Sequence, residues 1–313
     1  MSRKRLIRSM QRRLAEGVTL MAGPEYPYCL PHQRYDPFFI IGSGRCGTTL
    51  LRRVLQVSPD IHIPPETYMI GEVAEVFRQC GAMGWSRLVR LTLASFEYHE
   101  EFGVWETGLR DLAQQLIHAP RQERSLALIL DALFRHHAAV KGRTPVRWGD
   151  KTPVNYRHTA DILRIFPDAR FVHLIRDGVD VVQSILKAGM RSDVAGAAER
   201  WLEGTTMAHA FCVAHPAISL EVRYEDLVRD PATHARRVCD FLGITFLPGM
   251  IESGDAGEAV RDVLGWEHHA NVLKPISTGS VGKGRRDMSD QDRRTLQQLI
   301  GRELAAFGYE PAA

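Results

Sequence analysis

Apolar and polar positions along this chain alternate between short strand-like runs and helical periodicity. Phe38-Phe39-Ile40-Ile41 is an unbroken apolar run, as expected of a strand buried on both faces. Gly42 to Gly47 interrupts it. From Thr48 to Val57, Leu50, Leu51, Val54 and Leu55 share one helical side until Pro59 ends the pattern. Residues 71 to 140 predict mostly helix, opened by Val73, Val76 and Phe77 and closed by Leu126, Ile129, Leu130 and Leu133. Val146 to Trp148 predicts a second strand, with a helix start at Thr152-Pro153. Phe171 to Ile175 predicts a third, and after Arg176-Asp177-Gly178 a helix runs from about Val179 to Lys187. Ile218 to Val222 predicts a further strand, followed by Tyr224 to Leu227 and a helix near Thr233 to Leu242. Strands alternating with helices predict an α/β fold: a single domain with a mainly parallel sheet flanked by helices.

Residues 17 to 37, with Pro24, Pro27, Pro31 and Pro37, carry little periodicity. Residues 1–37 are therefore read as a basic arm and irregular lead-in, and 38–313 as the domain, with a helical insertion at about 67–145. The arm holds Arg3, Lys4, Arg5, Arg8, Arg12 and Arg13 before the first acid, Glu16. Its Leu6, Ile7, Met10 and Leu14 suit one helical face, so it offers contact to an anionic membrane surface or an acidic partner; a solvated terminal helix is the plainer reading. The rest of the chain, 34 basic against 37 acidic residues, has no electrostatic footprint for nucleic acid.

At 44% hydrophobic residues over 313, disorder is excluded and a core needs no staples. No apolar run approaches the roughly 20 residues of a membrane span, and no signal peptide is predicted. Cys29, Cys46, Cys80, Cys212 and Cys239 contain no Cys-x-x-Cys pair, so they read as free thiols, no zinc motif is spelled out, and a cytoplasmic location is expected.

The strongest local chemistry is Gly42-Ser43-Gly44-Arg45-Cys46-Gly47-Thr48-Thr49, between a strand and a helix. Glycines allow the tight turn, and a helix N-terminus presents unpaired N–H groups to an anion. The spacing is that of a nucleotide P-loop, but Thr48 stands where the lysine belongs, while Arg45 offers a cation from inside the loop. The strand Phe171 to Ile175 runs into Arg176 rather than a metal-binding acid, which sets a second cation at a strand's C-terminal end. Two anion points without a metal-binding acid predict a nucleotide with phosphates in two places. Cys46 lies where a thiolate is favoured, although a small residue packed into the loop is the better reading.

The runs IIGSGRCGTTLLRRVL, RFVHLIRDGVDVVQSI and VRYEDLVRDP, in this order, resemble the PAPS-dependent sulfotransferases, above all the protein-tyrosine sulfotransferase branch and its bacterial relatives. The likeness extends from about Phe38 to Lys283. It implies a P-loop-like sulfotransferase fold and a co-substrate, 3′-phosphoadenosine 5′-phosphosulfate (PAPS), whose phosphosulfate would lie on the loop of Arg45, Cys46, Gly47, Thr48 and Thr49. It further implies Arg176 and Ser184 at the 3′-phosphate, with Tyr224 and Lys283 as other donor contacts. Glu66, in Pro64-Pro65-Glu66-Thr67, matches the family's catalytic base; a helix-capping or surface glutamate is the plainer alternative. Lys151 matches a lysine that stabilises the transferring sulfuryl group, the alternative being a helix-start lysine paired with Asp150. Where relatives carry an arginine after the serine helix, this chain has Ala188 beside Lys187.

The expected reaction is in-line sulfuryl transfer from PAPS to a hydroxyl-bearing acceptor, without a metal. A small-molecule, sugar or lipid-linked acceptor is preferred over a protein, because no membrane anchor of the secretory relatives is visible. A P-loop kinase or triphosphatase and a catalytically inactive nucleotide-binding module are the competing readings. His136-His137 and His268-His269 are adjacent pairs whose members do not face one metal on a helix. Trp85, Trp105, Trp148, Trp201 and Trp266 read as core.

Overall fold

The computed structural model describes residues 25–252 and 274–313. The basic arm, Trp266 and His268-His269 lie outside the described residues. In chain order the elements are β1 (Phe38–Ile41), α1 (Thr48–Gln56), β2 (Ile61–His62), α2 (Ile70–Gln79), α3 (Trp85–Glu97), α4 (Arg110–Ile117), α5 (Leu126–Val140), β3 (Arg147–Asp150), α6 (Thr159–Ile165), β4 (Arg170–Ile175), α7 (Gly178–Lys187), α8 (Val194–Ala214), β5 (Ser219–Arg223), α9 (Tyr224–Arg229), α10 (Pro231–Leu242), α11 (Lys283–Asp287) and α12 (Asp290–Ala306). The strands form one parallel sheet in the order β2-β3-β1-β4-β5.

β1 explains why its apolar run is continuous. Phe38 and Ile40 enter the core on one face, with Val172, Leu174 and Trp201, while Phe39 and Ile41 enter the other, with Trp148 and Phe171. Residues of α2 to α5 pack over that second face, where Phe134 stacks on Trp148 at 3.9 Å between ring centroids. The helical insertion is thus largely core. Trp85, Trp105, Trp148 and Trp201 are all buried.

The predicted strands and helices are present with ends displaced by a residue or two. The second strand is Arg147–Asp150, since exposed Val146 lies outside the sheet, and Pro153–His158 is a 3-10 turn before α6. Four elements have no counterpart in the sequence reading, the five-residue α11 among them. β2 is two residues long, too short to leave a pattern. α8 is 21 residues, but Gly196, Gly204, Thr205 and Thr206 dilute its apolar period. α12 carries only Leu296, Ile300 and Leu304 on its buried side. Gly204 lets α8 pass the β1–α1 loop, because a Cβ there would stand 2.5 Å from Ser43 Cα. Among the described residues no helix is long and apolar enough to cross a membrane.

Candidate active site

In a parallel sheet every strand ends on the same edge, and ligands bind in the crevice beyond it. Here each strand delivers a candidate residue just past that edge: Arg45 after β1, Glu66 after β2, Lys151 after β3, Arg176 after β4 and Tyr224 after β5. A cavity of about 1100 Å³ opens there, lined by Arg45, Thr48, Thr49, Glu66, Arg176 and Tyr224 among others.

The β1–α1 loop is curled by positive φ at Gly44 (76°), Arg45 (54°) and Gly47 (102°), the kind of turn that gathers backbone N–H groups into a concavity. Gly47 precedes α1, and no side chain caps that helix, so its first-turn N–H groups have no side-chain acceptor. The position also demands glycine for space: a Cβ would lie 2.4 Å from Tyr224 Cδ2. Cys46 is fully buried, and burial pushes its thiol upward, so it packs beneath the loop rather than presenting a nucleophile.

Ser184 and Arg176 both contact this loop. Arg45 Nε donates to Ser184 Oγ at 3.1 Å. The Arg176 guanidinium donates to Ser280 O at 2.6 Å and lies 4.3 Å from the Tyr224 ring centroid. Burial first, and the Arg176 charge next, lower the Arg45 guanidinium from its ordinary value. Two cations held together in this way favour an anion between them. Arg176 Nε is buried without a hydrogen-bond partner among the described residues. Lys283, the first residue of α11, also lines the cavity.

Sequence reasoning did not single out the groups that hold these residues. Asp180, buried on α7, accepts from Gly282 N at 2.9 Å, Gly284 N at 2.6 Å and Arg176 Nη2 at 3.3 Å. It therefore pins the Lys283 segment to the helix that follows β4; its i,i+4 spacing from Arg176 was the available signal. Trp201 Nε1 donates to Arg176 O at 3.0 Å, and Arg200 Nε donates to Ser43 O at 3.3 Å. Neither of these two contacts has a local sequence signature.

At Glu66, which lines the same cavity, Lys151 Nζ donates to Oε1 and the Tyr68 hydroxyl to Oε2. Lys151 is therefore paired with Glu66, not with Asp150. Asp150 instead accepts from Thr67 Oγ1 at 2.8 Å, Thr152 Oγ1 at 2.6 Å and Asn155 Nδ2 at 3.0 Å. Thr67 N also donates to Thr152 Oγ1 at 2.9 Å, so the β2 exit is tied to the β3 exit immediately beside Glu66. Burial raises the Asp150 carboxyl above its ordinary value against the pull of these hydrogen bonds. Lys151 is only 1% exposed and does not line the cavity; it reaches it through Glu66. Tyr68 holds φ at 55°, a conformation uncommon for a bulky residue, and its ring stacks on His99. Burial first, then the Glu66 charge, push its phenol well above the ordinary value.

Lys187 and Ala188 both line the cavity, and Lys187 pairs with Asp287 at 2.6 Å. His136 and His137 diverge, as their adjacency implied: His137 Nδ1 lies 2.7 Å from His62 Nε2, while His136 meets Thr107 and Gly108.

The chain matches the family model described as Sulfotransferase family over residues 37–248. It is 25% identical over 284 residues to protein-tyrosine sulfotransferase 1 of Danio rerio, covering 88% of this chain and 72% of that protein. Protein-tyrosine sulfotransferase 2 of Gallus gallus is 27% identical over 292 residues, covering 88% and 70%. Among solved structures, the sulfotransferase domain of the Synechococcus PCC 7002 olefin synthase shares the fold with a TM-score of 0.59 at 24% identity, covering 90% of this chain and 98% of that one. The sulfotransferase domain of the curacin biosynthetic pathway gives 0.58 at 20% identity, covering 89% and 99%. With its glycine loop, Arg176 strand end and Tyr224 turn all inside the matched span, the chain belongs to the sulfotransferase family.

Proposed function

We propose that this sulfotransferase uses PAPS as donor and transfers its sulfuryl group in line to an acceptor hydroxyl. The observation that carries the reading is that two cations, Arg45 and Arg176, line one cavity together with Glu66, whose carboxylate is held by Lys151 and Tyr68. The donor supplies an activated S–O bond whose cleavage leaves charge on a phosphate. The α1 N-terminus and Arg45 are suited to stabilise that charge, and in this reading the transfer step needs no metal ion. Arg176 Nε, Ser184, Tyr224 and Lys283 are the groups for the 3′-phosphonucleoside part.

Glu66 is assigned as general base. Lys151 occupies Oε1, which leaves Oε2 for the acceptor proton. Since the Tyr68 hydroxyl occupies Oε2, the acceptor hydroxyl displaces it before giving its proton to Glu66. A phenol already rests on the base, and that contact favours a second reading of the acceptor: a tyrosyl or other phenolic hydroxyl rather than the small-molecule, sugar or lipid-linked alcohol preferred from sequence. The five free cysteines support a reducing, cytoplasmic setting.

The test is thermal unfolding with 3′,5′-ADP against 5′-ADP, AMP and Mg-ATP, followed by transfer of labelled sulfuryl from PAPS to tyrosyl peptides, simple phenols, sugars and lipid alcohols. A ligand at 100 times its Kd stabilises by about 2.7 kcal/mol, several degrees for a domain of this class. Selective stabilisation by 3′,5′-ADP with label transfer supports the proposal. Preference for Mg-ATP overturns it in favour of a kinase, and binding without transfer to any acceptor points to an inactive module.

A further inference from the structure

Outside the cavity lining, β4, β5 and α8 bring four chemistry-bearing side chains together. His173 and Glu221 are register partners on adjacent strands. α8 contributes His209 and Cys212, three residues apart and so on one side of the helix. Glu221 Oε2 lies 2.9 Å from His173 Nδ1 and 2.9 Å from His209 Nδ1. One donor atom each from His173, Cys212 and Glu221 fall within 4.8 Å of one another. His173 is 0% exposed, yet its Nε2 has no hydrogen-bond partner among the described residues. Nε2 lies on the far side of the ring from Glu221, so the nitrogen that the ring offers to this cluster is Nδ1.

We propose that His173, Cys212 and Glu221 bind a divalent ion of the zinc class, with His209, which lies against Glu221, positioning that carboxylate. Imidazole, thiolate and carboxylate together suit zinc, whereas magnesium and calcium prefer oxygen donors alone. Tetrahedral zinc holds its ligand atoms roughly 3 to 4 Å apart, so the cluster closes by about 1 Å when the ion enters. On binding, the S–H bond breaks, the sulfur–metal bond forms with the same electron pair, and one proton leaves to solvent. His209 and Glu221 are partly exposed and give the ion its route in. The ion would staple β4 and β5 to α8, the elements that present Arg176 and its Trp201 support, without entering the transfer step.

The experiment takes the full chain stripped with a chelator and titrates it with ZnCl₂ by calorimetry in two buffers of different ionisation enthalpy. CoCl₂ then serves as the spectroscopic probe. The expected result is one zinc ion bound per chain with proton release, and a thiolate-to-cobalt charge-transfer band. Cys212→Ser should abolish the band, and His209→Ala, a partly exposed position, should weaken zinc binding about tenfold or more. Circular dichroism confirms that each variant is folded, and a His268→Ala/His269→Ala double variant should bind as the parent does. Absence of binding, a band that survives in Cys212→Ser, parental zinc affinity in either site variant, or loss confined to the His268/His269 variant overturns the proposal.

Discussion

Lys151 and Glu66, 85 residues apart in sequence, are joined by a hydrogen bond from Nζ to Oε1 across the exits of β3 and β2. Lysine is thereby brought to the cavity only through the carboxylate. Removing the carboxylate's charge with Glu66→Gln should lower turnover on the order of 10²–10⁴-fold while 3′,5′-ADP binding is kept. Lys151→Met should reduce kcat more than donor affinity. Because the two act as one unit, the double variant should lose little beyond Glu66→Gln alone. Losses that multiply would show that Lys151 acts on the sulfuryl group independently.

In the proposed mechanism Tyr68, whose hydroxyl donates to Glu66 Oε2, competes with the acceptor for that oxygen. Tyr68→Phe removes the competing hydroxyl and keeps the ring stacked on His99. The acceptor KM should fall severalfold with donor affinity unchanged, as measured by steady-state kinetics at saturating donor. A fall in kcat with constant KM would instead assign Tyr68 to positioning Glu66.

Asp180 takes two backbone N–H groups and one guanidinium N–H, all in a buried setting. Asp180→Ala leaves Arg176 charged, with the 282–284 turn unfastened. Breaking such a pair from one side costs about 3–5 kcal/mol. Chemical denaturation should show a loss of that order, and donor affinity should fall with it. A loss below about 1 kcal/mol would mean that the Lys283 segment is held by other contacts.

His62 is the group to watch on acidification. Burial first, and the neighbouring His137 next, lower its pKa to about 3. Between about 6.5 and about 3 the unfolded chain binds a proton there that the folded chain refuses. Stability therefore rises with pH across that window, and acidification from 6.5 removes up to about 1.4 kcal/mol per pH unit. Urea unfolding at pH 7.5 and 5.0 should show the loss, and His62→Phe should flatten the slope. An unchanged slope in that variant would move the effect to other groups.

Much of the proposed donor side was legible because it is written locally. A glycine loop between an apolar run and a helix, and an arginine where an apolar run ends, are patterns of neighbouring residues, and the sheet edge turns them into one place. Asp150 was not legible as a support, since Thr67, Thr152 and Asn155 reach it from two separate strand exits. Nor did residues 67–145 declare themselves as core: their helical pattern specified burial without specifying against what, and only Tyr68, Glu101 and Val104 of them line the cavity.

By itself, then, the sequence determined the strand–helix alternation, the parallel sheet, and the places of the glycine loop and of Arg176 at a strand's end, because backbone preference and apolar periodicity act over a few residues. Tertiary structure alone decided which oxygen of Glu66 Lys151 would hold, that Tyr68 would cover the other, and that His173, His209, Cys212 and Glu221 would meet. Those contacts join residues from different elements, and their distances depend on strand register and helix packing over the whole sheet.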